Sequence, residues 1–324
     1  MDLDLAVRAE LRGGFLTWPD LEASGFSTKA VRRAMAEQWL VRIRHGAYVL
    51  AATYSALDDT ARLAVRTAAV MHRLGDSAVP WGLSALAELG VPLWGRDLET
   101  VHVLRLDGGA SRREAGVVHH VAVLDADDFV EVDGRRRVRA EVALWGALCC
   151  SSIESGLVAA DGVLHRRLAD PPGLSEVARR YSTWPGARKG DMVCRLCDPR
   201  AESVGETRSR YLCFRHSLPA PDLQVVVRTL DGHVLGEADM GWRDHRHLAE
   251  FDGAVKYGRL RREGETADQV VVREKRREDA MRAEDWGFTR IMWADLAPGN
   301  ARRTAARLSA DLDRSRRLYG PAPL

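Results

Sequence analysis

The stretch GEADMGWRDHRHLAEFDGAVKYG, residues 236–258, holds four side chains suited to phosphoryl chemistry: Asp239, Glu250, Asp252 and Lys256. Glu250 and Asp252 are two apart on an apolar strand, so both point to one face. Asp239, on the strand before, can reach the same patch, and Glu206 comes from a helix upstream. Carboxylates gathered in this way repel one another unless a cation is bound. Mg²⁺ takes oxygen ligands and keeps several of its waters. Held there, it generates hydroxide and stabilises the leaving oxygen of a phosphodiester. A lysine such as Lys256 orients the water or neutralises the developing charge. The expected cofactor is Mg²⁺, with Mn²⁺ able to replace it and with Asp239 and Glu250 as the metal ligands. The competing reading is a solvated turn, but such a turn would not set its acids among Leu248, Phe251 and Tyr257.

The elements that must position these residues follow from pattern. GETRSRYLCF reads as a helix carrying Glu206. LQVVVRTL and HVLGEADMGW read as a hairpin around Asp231-Gly232, and HRHLAEFDG as a third strand. A long amphipathic helix, ETADQVVVREKRREDAMRAEDWG, ends at Gly287, and its Arg276, Arg277 and Arg282 are expected to pair with carboxylates or phosphate. FTRIMWADL is a fourth strand and NARRTAARLSADLDR a final helix. The order α-β-β-β-α-β-α is that of the restriction-endonuclease core, also called PD-(D/E)XK.

Residues 190 to 310 resemble the very-short-patch-repair-like domains of this group, in the form fused to AbiEi-type heads in actinobacteria. The resemblance carries over Glu206 as the helix acid, Asp239 as the metal aspartate, and Glu250 and Asp252 as the strand pair. The strict pattern has lysine two residues after Glu250. This chain has Asp252 there, and Lys256 is the candidate to stand in. DNA cleavage is what the resemblance implies; nothing in the acids themselves excludes RNA.

The first fifty residues carry a different signal. DLAVRAEL has helical spacing and stops at Gly13-Gly14. Thr17 caps a second short helix with Pro19 in its first turn. STKAVRRAMAEQWL opens a third at Ser27, with Val31, Met35 and Trp39 along one face, and a hairpin folds at His45-Gly46. This is the order of a winged helix-turn-helix. Residues 27–46 hold five Lys/Arg against one Glu. Ser27, Thr28, Lys29, Arg32 and Arg33 would face the major groove, and Arg42, Arg44 and His45 would reach phosphates from the wing. The alternative is a small helical domain that binds protein. The segment L-x-R-h-x-x-G-x-Y, here Leu40, Arg42, Gly46 and Tyr48, resembles the head of AbiEi-type antitoxins. The resemblance implies double-stranded DNA as partner, often the protein's own promoter, and a cognate toxin protein as a second partner. A homodimer is compatible with it.

Between these parts lies an α+β segment in which SALAELGVP, residues 84–92, resembles the second domain of the same antitoxins. The threonine and aspartate usual near the next helix are replaced by VRAEVALWGAL. His119 and His120 sit mid-strand, point to opposite faces and are given no role. Cys194, Cys197, Cys213 and His216 have spacing that a zinc ribbon could use, but the helical pattern between them argues against zinc. Three domains are expected: a winged helix-turn-helix over 1–52, an α+β middle over 53–185 and an α/β restriction-endonuclease-like core over 186–324.

The 324-residue chain is 46% apolar, enough for real cores, and its net charge of +2 does not by itself announce a nucleic-acid binder. No apolar run reaches the length of a membrane span, and MDLDLAVRAELRGG has no signal-peptide pattern, so a cytoplasmic protein is expected. Two functions remain open: a DNA nickase or endonuclease aimed by its head, and a regulator whose nuclease-like tail is inert or binds a partner.

Overall fold

The computed structural model describes residues 3–229, 231–253 and 266–320. The chain divides into two compact units, residues 1–197 and 198–324.

The first unit opens with helix α1 (Leu3–Leu11), strand β1 (Leu16–Thr17), helices α2 (Trp18–Ala23) and α3 (Thr28–Ala36), and strands β2 (Leu40–Arg44) and β3 (Ala47–Leu50). The strands form an antiparallel sheet in the order β1-β3-β2. Leu5, Leu16, Leu21, Val31, Ala34, Leu40 and Leu50 make its core. Thr17 is the N-cap of α2, as the sequence suggests, and Asp20 Oδ2 accepts its amide at 2.8 Å and its hydroxyl at 2.6 Å. Trp39, expected on the inner face of α3, is instead 38% exposed and packs edge-on against Phe26. Gln38 before it has a φ of 59°, which ends the helix and turns the chain away from that face.

The unit continues through α4 (Ala51–Ala56), α5 (Asp59–Leu74), β4 (Ala78–Pro80), α6 (Leu83–Glu88), β5 (Val101–Arg105), β6 (Arg112–Glu114) and β7 (Val117–His120). β5 and β7 pair in parallel, and the segment joining them contributes β6 as an antiparallel partner of β7. The hairpin β8 (Phe129–Val132) and β9 (Arg135–Val138) follows. Last come α7 (Ala140–Cys150), α8 (Ile153–His165), α9 (Pro171–Arg180) and α10 (Ala187–Leu196). α7 is apolar all round, and every residue from Val142 to Cys149 is buried, so it forms the centre of a helical cluster. α10 packs on α7, α8 and α9, which moves the unit boundary from the expected 186 to 198.

The second unit contains α11 (Val204–Arg215), β10 (Asp222–Arg228), β11 (Val234–Trp242), β12 (His247–Asp252), α12 (Ala267–Ala283), β13 (Gly287–Met292) and α13 (Ala301–Tyr319). The sheet order is β10-β11-β12-β13; the first two pairings are antiparallel and β12–β13 is parallel. Alternation along the strands makes two cores, one on each face. Leu212, Met240, Ala249, Phe251, Ile291 and Leu308 gather α11 and α13 on one side. Val225, Val227, Ala238, Leu248, Met281 and Trp286 gather α12 on the other. Buried His247 ties β12 to β13 and α13, with Nε2 2.9 Å from Thr289 Oγ1 and Nδ1 2.8 Å from Ser315 Oγ.

Candidate functional site

In the first unit, α3 buries Val31 and Ala34 and turns Thr28, Lys29, Arg32 and Arg33 to solvent. Ser27 is its N-cap and accepts the Ala30 amide at 3.2 Å, so this hydroxyl serves the helix end first. Arg33 Nε meets Glu37 Oε1 at 2.6 Å, whereas Arg32 has no ion pair among the described residues. Arg42 and His45 are exposed on the wing. Arg44 departs from the expected wing contact. The β2–β3 register shifts between Arg42 and Arg44, and Arg44 is half-buried, its Nε without a hydrogen-bond partner. Burial, then Arg73 nearby, draws its pKa below the ordinary arginine range. Lys29, Arg32 and Arg42 are thus the open cations of α3 and the wing, with His45 exposed at the wing turn and Arg33 tethered to Glu37.

In the second unit the acids fall into three settings. Asp239 and Glu250 are brought together. Asp239 Oδ2 accepts the Phe251 amide at 2.8 Å, next to Glu250 in the chain. Burial holds the Glu250 carboxyl above its usual range; Arg277 pulls it down and Asp239 pushes it up again. The positioning of Asp239 follows from an irregularity in the sheet. Leu223 pairs with Met240 and Val225 with Ala238, and between them Gln224 has a φ of 52°. Leu223 consequently joins one core and Val225 the other, and Asp239 stands opposite the kink.

Asp252 shares the face of Glu250, but its carboxylate pairs with Arg290 at 3.3 Å, and Arg290 also holds Glu278 at 2.7 Å. Glu206 is buried in the first turn of α11. It accepts Ser203 Oγ at 2.7 Å, the Glu202 amide at 2.9 Å and Gln224 Nε2 at 3.2 Å. Gly205 lets this turn approach β12, because a Cβ there would stand 2.1 Å from the Phe251 ring. Lys256 lies outside the described residues. Among the described residues, no three His, Cys, Asp or Glu side chains gather closely enough to hold a metal ion. Asp239 and Glu250 by themselves supply two carboxylates of the oxygen type that Mg²⁺ takes. Glu250 Oε1 is shared with Arg277 Nη2 at 2.6 Å, one of the pairings expected of the long helix.

Cys213 is a core residue whose thiol burial pushes up to about 12, and burial raises Cys194 to about 12 as well.

Sequence reasoning missed Gln224, Arg290 and a histidine pair. His102 Nδ1 lies 2.8 Å from His120 Nε2, the rings stacked 5.1 Å apart, and burial takes both to about 4. His119 and His120 do face opposite ways, yet His120 finds its partner diagonally across the parallel β5–β7 ladder. Only the strand pairing reveals that contact.

No helix among the described residues is long and apolar enough to cross a membrane. Over 265 residues the chain is 28% identical to an uncharacterized protein of Mycobacterium tuberculosis strain H37Rv, and equally to one of strain CDC 1551. Each alignment covers 76% of this chain and 88% of the relative. Residues 5–51 match a family described as transcriptional regulator, AbiEi antitoxin, and this segment, with its exposed basic α3 and wing, is an AbiEi-type antitoxin and transcriptional-regulator domain.

Proposed function

We propose that the protein is a sequence-specific DNA-binding regulator in a toxin–antitoxin or defence setting. The observation that carries this reading is the solvent-facing cationic surface of α3 and the wing, set on the domain that matches the antitoxin family. Lys29 and Arg32 would meet the major groove and its phosphates, and Arg42 and His45 would brace the backbone from the wing. The partners are double-stranded DNA, a cognate toxin protein and, on a palindromic site, a second copy of the chain. Binding of the full chain to its own upstream duplex, compared with an unrelated duplex of equal length, tests the proposal. Equal affinity for both refutes sequence-specific regulation.

A second reading concerns residues 198–324 and is favoured by the Asp239–Glu250 juxtaposition at the kinked strand. It is a Mg²⁺-dependent DNA endonuclease or nickase of the PD-(D/E)XK type. Mg²⁺, or Mn²⁺ in its place, would supply Lewis acidity and an activated water at this patch, held by Asp239 and Glu250. Glu206, through Gln224, holds α11 against β10. Asp252, with Arg290, anchors the end of β12, and Lys256 would supply the positive charge of the motif. Supercoiled plasmid incubated with Mg²⁺ or Mn²⁺ tests this reading. Cutting by wild type that Asp239→Ala and Glu250→Ala abolish, with DNA affinity unchanged, supports it. Intact plasmid throughout leaves the regulator alone.

A further inference from the structure

Ala47 and Val49 of β3 share a core with Val65 and Ala69 of α5, and Phe15 meets His72 edge-on with ring centres 5.7 Å apart. The last turn of α5 is therefore held against the wing's own domain. It carries Arg73, which is exposed and has no ion pair among the described residues. The exposed edge strand β6 borders the same place. In the β6–β7 ladder Arg112 lies opposite His119, Arg113 opposite Val118 and Glu114 opposite Val117. Alternation thus puts Arg112 and Glu114 on one face, and Arg113 on the other face with His102. Arg44, at the end of β2, stands within electrostatic reach of both Arg73 and Glu114. Arg112 Nη2 holds Glu114 Oε1 at 3.3 Å, both side chains half-exposed. Arg44, Arg73 and Arg112 are in this way gathered about a single carboxylate, and the Nε of Arg44 is buried without a hydrogen-bond partner. The excess positive charge suits an extended anion, and it adjoins the wing that faces phosphates in the regulator reading.

We propose that the DNA backbone continues past the wing, over the end of α5 and onto β6, where Arg73 and Arg112 each take a phosphate. The inference rests on the regulator reading and widens its contact surface beyond residues 5–51, onto a part of the chain outside the family match. Arg73 begins unpaired and offers its whole charge, whereas Arg112 must give up Glu114. Arg44 keeps its half-buried place and makes the flank positive without touching the duplex. A cation in the last turn of α5 also complements the helix dipole, so stability alone does not separate the two roles of Arg73. The salt dependence of DNA binding does.

The full chain is titrated against its labelled upstream duplex over a range of KCl. The comparison is wild type, Arg73→Ala, Arg73→Lys, Arg112→Ala and Arg113→Ala, each verified as folded by circular dichroism. Arg73→Ala is expected to flatten the slope of log K against log salt concentration by about 0.9, Arg73→Lys to keep the wild-type slope, and Arg112→Ala to flatten it by less. Arg113→Ala removes a cation from the opposite face of the same strand and should leave the slope unchanged. In a nuclease footprint, Arg73→Ala/Arg112→Ala should lose protection at one end of the tract only. A wild-type slope in Arg73→Ala, while Arg32→Ala flattens it, overturns the flank contact and leaves the regulator reading standing. An effect of Arg113→Ala equal to that of Arg73→Ala also overturns it, because net charge alone would then account for both. A slope that neither Arg73→Ala nor Arg32→Ala changes removes both.

Discussion

Removing the Arg32 guanidinium isolates one charge of the proposed DNA surface. Arg32 is exposed on α3, one turn after Lys29, and has no ion pair among the described residues, so its charge is available to phosphate. Each phosphate neutralised on B-DNA contributes about 0.9 to the slope of log K against log salt concentration. Arg32→Ala is therefore expected to flatten that slope by about 0.9. Arg33 begins from a different position, because it must exchange Glu37 at 2.6 Å for a phosphate and leave Glu37 behind. Arg33→Ala should flatten the slope by less than Arg32→Ala does, and the double variant by less than about 1.8. Arg44 is half-buried beside Arg73, so Arg44→Ala should change the slope least of the basic residues on this surface. The assay is fluorescence anisotropy of a labelled upstream duplex with full-length protein over a range of KCl. An unchanged slope in Arg32→Ala, in a folded variant, would refute the placement of α3 on DNA.

Other expectations bear on the second unit and on pH. Gly205→Ala forces a methyl into the Phe251 ring and should cost about 1–3 kcal/mol of stability in urea unfolding, against a helix-propensity gain of under about 1 kcal/mol; a neutral result would mean that α11 does not sit this close to β12. Burial lowers His247 to about 4 from 6.5, so the unfolded chain takes up a proton between these values while the native state does not. Stability from this residue is present above pH 6.5 and lost as pH falls through the window, by about 2 kcal/mol at pH 5. His247→Asn should flatten the dependence of Tm on pH between 7 and 5, and an equally steep acid loss in the variant would assign it to other groups.

The head was legible because its signals are local. Ser27 caps α3, Thr17 caps α2, and the apolar positions of the hairpin fall where the sheet needs them. β1 was not legible: two residues, Leu16 and Thr17, become a strand only by pairing with Tyr48 and Ala47. The turn of Arg44 into the body comes from a register shift, which composition does not announce. In the second unit the element order was readable from alternation and helical spacing, and the shared face of Glu250 and Asp252 followed from strand period. Their partners were not readable. Arg277 is twenty-seven residues from Glu250 and Arg290 thirty-eight from Asp252, and a parallel crossover brings each pair together. The kink that sets Asp239 depends on Gln224 taking a positive φ, a conformation its side chain does not favour.

The most direct test of the proposed regulator is a nuclease-protection footprint on the DNA upstream of its own reading frame, using the full chain and the Arg32→Ala/Arg33→Ala variant. A discrete protected tract for wild type, lost in the variant while Asp239→Ala and Glu250→Ala retain it, is the expected result. Absence of any protected tract at saturating protein, or a tract that survives the loss of both arginines, would contradict the assignment of α3 as the reading element.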